Sequence, residues 1–284
     1  MLFRSHALRI GNLLVGNPEN AAAIEVTFGG LKAEFLGSTL FALTGADLGA
    51  HLNGAPLAHW KRHAAVPGDL LCLDFSRLGC RAYIALAGGV DVPVVMGSRS
   101  TYLRGAFGGY EGRSLRRGDV LQRGPSQGVP IDSIPSHLIP VYTAEPTLRV
   151  VLGPQDDRIT EEGMASFLTS PYEVTQRSDR MGCVLSGPEI RHREAADIIS
   201  DGVVAGAIQV PGSRQPIILM ADAQTTGGYV KIGTVASFDL PLAAQLLPGN
   251  RVRFETVSLL EARAIYLKQE YRFRRLREQA SSPV

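Results

Sequence analysis

The chain of 284 residues is long enough for two domains of ordinary size or for one large β-rich domain. Its hydrophobic content of 45% and charged content of 20% are typical of a globular protein with a sizeable core. The formal net charge of +2 gives no electrostatic reason to expect a nucleic acid or an anionic membrane as partner, and no apolar run approaches the length of a membrane helix.

The first predicted element is a short helix in "HALRIGNLLVGNP", which the run Gly16-Asn17-Pro18 should end. Most of the sequence beyond it favours β-structure. Three stretches, "VPGDLLCLDF" (66–75), "RRGDVLQRG" (116–124) and "LPGNRVRFETV" (247–257), each place a Gly-Asp or Gly-Asn turn before an alternating strand. This recurrence predicts β-barrel units.

A domain boundary is predicted near residues 125–147, where five prolines stand among turn-forming residues. The predicted domains are therefore 1–138 and 139–284. The second domain should contain two helices, in "DDRITEEGMASFLTS" and in "SLLEARAIYLKQEYRFRRLREQ".

Sulfur and histidine chemistry is sparse in the sequence. The three cysteines are too few and too scattered for a disulfide framework or a four-ligand zinc site, so a reducing, cytoplasmic location is expected. His59 and His63 have i, i+4 spacing, but the glutamate of the metalloprotease motif is missing between them. No metal site is predicted, and no P-loop is present.

An arginine- and glycine-rich stretch at 96–119 has two interpretations. It is either a solvated loop or a clamp for an anion, because arginine pairs bidentately with carboxylates and glycine lets backbone N–H groups approach. On the second interpretation Ser98 and Arg99 bind substrate.

A denser polar group lies at 201–235. Gln209 ends one apolar run, Asp222 ends the next, and Lys231, one of only four lysines, stands among apolar neighbours. Polar groups at strand ends can converge on the mouth of a pocket, and a lysine there can stabilise a developing oxyanion. The alternatives are a solvated Lys231, and a structural Asp–Arg pair formed by Asp179 and Arg180.

Several stretches together resemble one protein family. They include "LTGADLGAHLNGAPLAHW", "GPQDDRI", "SDRMGCVLSGP" and above all "SDGVVAGAIQVPGSRQPIILMADAQTTGGYVKIGTVASFDLPLAAQLLPGNRVRF". The sequence resembles the family that contains the C subunit of bacterial ATP-dependent 5-oxoprolinase, the second carboxyltransferase segment of urea amidolyase, and an antagonist of a sporulation kinase inhibitor. The resemblance covers nearly the whole chain.

The resemblance implies a mainly β fold with a few helices, arranged as two cyclophilin-like β-barrel domains. The first of these is expected to lack the family's first strand. It also implies chemistry on a small amide or lactam, assembly with a homologue of the 5-oxoprolinase B subunit and in some cases with the A subunit, and ATP use by the complex. The residues expected to be catalytic are Asp222, Gln224, Thr226 and Lys231. Those expected to bind substrate are Gln209, Thr225, Gly227, Gly228, Tyr229, Arg180, Ser98 and Arg99.

Three functions are compatible with this family. The first is a subunit of a lactam-opening 5-oxoprolinase. The second is a carboxyltransferase acting on urea or a similar amide, with biotin carried by another polypeptide because this sequence has no Met-Lys-Met site. The third is a non-enzymatic regulator that binds a kinase inhibitor.

Overall fold

The computed structural model describes residues 6–126 and 128–281. The described residues up to Val141, together with those from Arg272 onward, form one compact unit, and Tyr142–Tyr271 form the other. Compact units need not coincide with domains, so the predicted division at residues 138 and 139 stays a prediction. No helix among the described residues is both long and apolar enough to cross a membrane.

The described residues of the first unit contain one complete α-helix, the last turns of the C-terminal helix, and eight strands. The strands form two four-stranded sheets, in the orders β1-β8-β3-β6 and β2-β7-β4-β5, with antiparallel pairing. The elements are α1 (His6–Leu14), β1 (Ile24–Thr27), β2 (Gly29–Glu34), β3 (Thr39–Asp47), β4 (His51–Leu52), β5 (Ala55–Pro56), β6 (Lys61–Ala65), β7 (Leu70–Phe75) and β8 (Leu78–Leu86).

The predicted first helix is confirmed, and so is its end. The N–H of Asn17 donates to the carbonyl of Asn12 at 2.8 Å and that of Gly16 to Leu13 at 3.1 Å, with Gly16 at a φ of 76°. These are the two hydrogen bonds of a Schellman motif, in which glycine is favoured because it has no Cβ to clash at positive φ.

The second unit is built on a closed barrel of seven strands. The ring runs β15-β13-β14-β11-β10-β16-β9 and returns to β15, and β12 pairs with β15 outside the ring. Only the β16–β9 pair is parallel. The elements are β9 (Thr147–Leu152), α2 (Glu161–Thr169), β10 (Tyr172–Val174), β11 (Gly182–Ser186), β12 (Asp197–Gly202), β13 (Ala207–Val210), β14 (Ile217–Leu219), β15 (Thr226–Val235), α3 (Leu240–Ala243), β16 (Arg251–Thr256) and α4 (Leu259–Ser281).

Strand β16 of the barrel alternates in burial as a half-buried strand should. In β16, Val252 and Phe254 are buried while their neighbours are exposed. Phe254 stacks on Phe167 of α2, with ring centroids 4.4 Å apart, so the helix covers the barrel at this point. The mainly β prediction with a few helices, and that of a barrel, are confirmed.

Two local predictions need correction. Residues 116–124 form a turn with one isolated bridge at Arg123, so the strand predicted there is wrong. The carboxylate of Asp119 accepts hydrogen bonds from Arg113 and from the N–H of Arg116, which stabilises a turn instead. The helix predicted from Asp156 begins only at Glu161, because the hydroxyl of Thr160 caps it by accepting the N–H of Gly163.

The last turns of α4 are fixed within the first unit. Phe273 is fully buried, its ring meets that of His6 edge-on at 5.0 Å, and the guanidinium of Arg9 lies 3.5 Å from the ring centroid. The carboxylate of Glu19 pairs with both Arg9 and Arg277. A buried aromatic ring and the carboxylate of Glu19, which is buried with Arg9 and also binds the half-exposed Arg277, therefore join the last turns of α4 to α1.

We expect Phe273→Ala to lower the free energy of unfolding by about 3–5 kcal/mol, because it removes a buried ring and leaves a cavity. Urea unfolding followed by the fluorescence of Trp60, the chain's single tryptophan and itself buried in the same unit, measures this. Tyr266→Ala on the exposed face of α4 is the control and should change stability by no more than about 0.5 kcal/mol. Equal effects of the two substitutions on stability would contradict the conclusion that Phe273 fixes the last turns of α4.

Candidate functional site

Lys231 and Gln209 lie directly opposite each other on the paired strands β15 and β13. Opposite residues of an antiparallel pair project from the same face of the sheet. Both residues are 3% exposed, and Val230 and Ile232 on either side of the lysine are fully buried. The alternative of a solvated Lys231 is therefore wrong, and two polar side chains share one buried face.

The ammonium of Lys231 is held by the end of β12. Its Nζ donates to Oδ2 of Asp201 at 2.7 Å and to the carbonyl of Gly202 at 3.1 Å. The hydrogen bond from Lys231, followed by that from the N–H of Gly202, holds the pKa of the Asp201 carboxyl below its usual range. Asp201 is itself 58% exposed, so the buried cation is neutralised by an anion at the surface. An ammonium has three donors, and these two bonds leave one for a further acceptor.

The backbone around Lys231 is fixed by Gln155. The Oε1 atom of Gln155 accepts the N–H of Lys231 at 3.1 Å, and the N–H of Gln155 donates to the carbonyl of Lys231, also at 3.1 Å. Gln155 was not among the predicted site residues. It lies in "GPQDDRI", one of the stretches that carried the resemblance, and that stretch was the available signal.

The side-chain amide of Gln209 is buried against Gly227. Its Nε2 atom has no hydrogen-bond acceptor among the described residues. A Cβ added to Gly227 would lie 2.4 Å from that Nε2 and 3.2 Å from Cγ1 of Val203, so the amide occupies the space that any other side chain would need.

Arg180 and Asp222 form a second polar group. The Nε of Arg180 donates to Oδ2 of Asp222 at 2.9 Å, and the N–H of Asp222 donates to the carbonyl of Arg180 at 2.9 Å. The pair lies just beyond the end of the β11–β14 ladder at which Gly182 pairs with Leu219. The carboxylate of Asp179 accepts the N–H groups of Met181 and Gly182. The alternative of a structural pair between Asp179 and Arg180 stays a prediction.

The other predicted residues of this unit lie between the two groups in sequence. Gln224, Thr225, Thr226 and Tyr229 are exposed, and the β15 residues from Thr226 to Tyr229 pair with β12. Their catalytic or substrate-binding roles, and those of Gly227 and Gly228, stay predictions.

Ser98 and Arg99 lie in the first unit. The Nε of Arg99 donates to the carbonyl of Val92 at 3.0 Å, and the hydroxyl of Ser98 accepts the N–H of Ser100 at 3.0 Å. Nearby, Arg113 is bound bidentately by Asp119, and this contact lowers the pKa of the Asp119 carboxyl to about 2. The loop thus uses part of its arginine content internally, and the substrate-binding role of Ser98 and Arg99 stays a prediction.

The Gln209–Lys231 face can bind an electron-rich oxygen. It offers an unpaired amide N–H₂ and an ammonium from directly opposite positions, in surroundings where hydrogen bonds to charge are stronger than in water. In the described part of the chain, no three His, Cys, Asp or Glu side chains are grouped to hold a metal ion. The chemistry that these residues allow is therefore recognition of a carboxylate or stabilisation of negative charge on a carbonyl oxygen.

Comparison with known proteins adds the wider context. The carboxyltransferase domain family, subdomain A and B, matches residues 3–256. The chain is 39% identical to the 5-oxoprolinase C subunit of Escherichia coli over 270 residues, covering 95% of this chain and 86% of that protein. It is 36% identical to the 5-oxoprolinase C subunit of Haemophilus influenzae over 264 residues, covering 93% and 84%.

Among solved structures, the urea amidolyase of K. lactis superimposes with a TM-score of 0.92 at 30% sequence identity. The match covers 96% of this chain and 18% of that one. The chain is thus similar to one segment of a much longer protein.

We expect Gly227→Ala to lower the free energy of unfolding by about 1–3 kcal/mol, because the new methyl group displaces the buried amide of Gln209. Thermal unfolding measures the effect. Gly212→Ala is the matched control, since a Cβ at Gly212 meets no atom within 4 Å. Equal melting temperatures for the two variants would show that Gln209 can move away without loss.

The Asp201–Lys231 pair predicts a pH-dependent stability. Because folding lowers the pKa of Asp201, its contribution is present above the unfolded value of about 3.9 and is lost as the pH falls through the lower folded value. We expect Asp201→Asn to lower the urea midpoint at pH 7, with a difference from the unsubstituted chain that shrinks towards about pH 3.

Asp197→Asn is the control for this measurement, because Asp197 is an exposed acid on the same strand. A difference between Asp201→Asn and the unsubstituted chain that stayed constant with pH would assign the effect to something other than the carboxylate.

Proposed function

We propose that this chain is the C subunit of an ATP-dependent 5-oxoprolinase. The chain belongs to the carboxyltransferase domain family, subdomain A and B. The support from similarity is the pair of 5-oxoprolinase C subunits, each of which matches more than nine-tenths of this chain and more than four-fifths of its own length. On this proposal the chain contributes to opening the lactam ring of 5-oxoproline.

The observation that carries the proposal is the unpaired amide of Gln209 beside Lys231. A buried donor without an acceptor destabilises a fold by about 1–3 kcal/mol, so such groups are rare and call for an explanation. An oxygen atom of a bound substrate would accept from Gln209 and from the remaining donor of Lys231 at once. The two residues then act together as an oxygen-binding pair.

The chemistry of 5-oxoproline fits such a pair. The molecule carries a carboxylate and a lactam carbonyl, and both take hydrogen bonds from N–H donors. When a nucleophile adds to the lactam carbonyl, negative charge develops on its oxygen, and a fixed ammonium and amide stabilise that charge without having to reorganise. Asp201 and Gln155 are positioning residues in this scheme, because they hold the ammonium and the backbone of Lys231.

ATP belongs to the proposal through the assembled enzyme, where it would supply the driving force for ring opening. The sequence has no P-loop, and we assign no residue of this chain to ATP. The partners would be homologues of the 5-oxoprolinase B and A subunits. The structure offers an edge for such a partner: β12 ends its sheet and displays Ile199 at 94% exposure, and exposed edge strands are usually covered.

A carboxyltransferase acting on urea is the second candidate, favoured by the close superposition on the K. lactis urea amidolyase. Biotin would have to come on another polypeptide. None of the lysines is flanked by methionines, and Lys231 is buried, whereas a biotinyl lysine must be presented to a modifying enzyme.

We expect Lys231→Met to lower turnover of the assembled complex by at least about tenfold, because removal of one electrostatic contact to a developing charge costs about 10²–10³ in rate. The chain should still fold: methionine has a similar length, and Asp201, left without the lysine, is largely exposed to water. The assay is ATP-dependent release of glutamate from 5-oxoproline by the chain co-purified with its A and B partner proteins.

Lys32→Met, which changes an exposed lysine of β2, is the matched control and should leave turnover unchanged. Equal rates for both variants would remove Lys231 from the site. A complex that releases no glutamate but carboxylates urea when given a biotinylated carrier protein would favour the second candidate.

A further inference from the structure

The part of α4 that belongs to the second unit has a row of exposed apolar residues. Leu260, Leu267 and Tyr271 are 78%, 53% and 52% exposed, and Ala264 is exposed between them. Their spacing is four, three and four residues, which is the spacing of the contact positions of a coiled coil. We call these four residues the exposed seam.

The seam is distinct from the more buried face of the same helix. Ala262 is buried and Ile265 and Gln269 are partly buried, and these three follow one another at helical spacing on the other side of the helix. One apolar stripe is enough for the covered face of a helix, and Ala262 and Ile265 supply apolar side chains on that face. The seam is therefore not explained by the fold of the unit.

The charged residues beside the seam indicate what covers it. They are Glu261 and Lys268 on one flank and Arg263 and Glu270 on the other. If two copies of α4 pair antiparallel, with Ala264 opposite Leu267, coiled-coil geometry places Glu261 opposite Lys268 of the second copy. The same register places Arg263 opposite Glu270 of the second copy, so two-fold symmetry gives four pairs of opposite charge.

Parallel pairing of two copies of α4 does not place opposite charges next to each other in this way. In a parallel pair the flanking contact joins a residue to the one five positions further along the second helix. Arg263 would then face Lys268 of the second copy, twice in the dimer, and like charges at this position destabilise the pair. The capping contact of Glu261 does not prevent the antiparallel arrangement, because it uses only Oε2 of that carboxylate, bound to Ser258.

We propose that the exposed seam is a self-association surface, on which a second copy of this chain binds through antiparallel pairing of α4. The contact extends over about three helical turns. The area that so short a contact buries is less than the roughly 1,000 Å² expected of a stable interface. The dimer is therefore weak and forms at high protein concentration. The helix is already folded in each copy, so association requires no ordering of the chain.

Sedimentation equilibrium of the purified chain from about 10 µM to 1 mM tests the proposal, a range suited to such a small interface. We expect a reversible monomer–dimer equilibrium that Leu267→Glu abolishes over this range. Leu259→Glu, an exposed leucine outside the seam, is the matched control and should leave the equilibrium unchanged. A chain that is monomeric at every concentration overturns the proposal.

Charge reversal tests the antiparallel register. Arg263→Glu alone puts like charges opposite Glu270 twice in the dimer and should weaken association by about tenfold, because two attractive pairs are replaced by two repulsive ones. The double variant Arg263→Glu, Glu270→Arg should restore it, because the pair is re-formed with its charges exchanged. No recovery in the double variant would exclude this register.

Disulfide trapping gives a readout that does not depend on affinity. Chains carrying Ala264→Cys and Leu267→Cys are prepared separately and oxidised alone and as a mixture, with the unsubstituted chain as the control for the half-buried Cys72. Rapid crosslinking only in the mixture is expected. Equally rapid crosslinking of Ala264→Cys with itself would mean parallel pairing and would contradict the proposal. The proposal would also be contradicted if the seam substitutions abolished binding of the B partner protein while no sample contained a dimer.

Discussion

The pairing of β15 with β9 is the constraint on which the second unit depends, because it closes the barrel. Among the described strands β15 alone pairs with three others, and its residues 226–229 bind β12 while residues 233–235 bind β9. Lys231 lies in the interval between those two pairings. There the carboxamide oxygen of Gln155 accepts the N–H of Lys231, and the N–H of Gln155 donates to the carbonyl of Lys231. The backbone hydrogen bonding of β15 therefore continues where this strand changes its partner.

At the same interval of β15, the protein buries two polar side chains, Gln209 and Lys231, at a cost in stability. An apolar pair at positions 209 and 231 would pack without desolvating an ammonium or leaving an amide donor unpaired, and replacing buried polar groups in this way is often neutral or stabilising. The fold limits the loss by bringing the surface carboxylate of Asp201 to the lysine and by omitting a side chain at Gly227. Local instability that the surrounding structure compensates is typical of sites shaped for a ligand.

The sequence predicted those features that depend on neighbouring residues. The Gly-Asn turn before β16 and the glycine that ends α1 follow from backbone conformations that few other residues adopt, and both were found. The same reasoning failed at 116–124, because a Gly-Asp turn does not require a regular strand after it. The segment that follows forms an isolated bridge between Arg123 and Val90. The polarity of the 222–231 junction was readable, but the partner of Lys231 was not. Asp201 reaches it only through the register of β12 against β15, including an irregularity between Asp197 and Asp201, and such a shift cannot be read from the spacing of residues.

The uneven distribution of primary amines on this chain has a practical consequence. Lys32, Lys61 and Lys268 are exposed, whereas Lys231 is enclosed and hydrogen-bonded twice. Reagents that acylate amines need an unprotonated and accessible nitrogen, so they will attach dyes, surfaces or tethers to the first three and spare the fourth. The chain can thus be immobilised through its exposed lysines for force or single-molecule experiments while Lys231 keeps its native contacts.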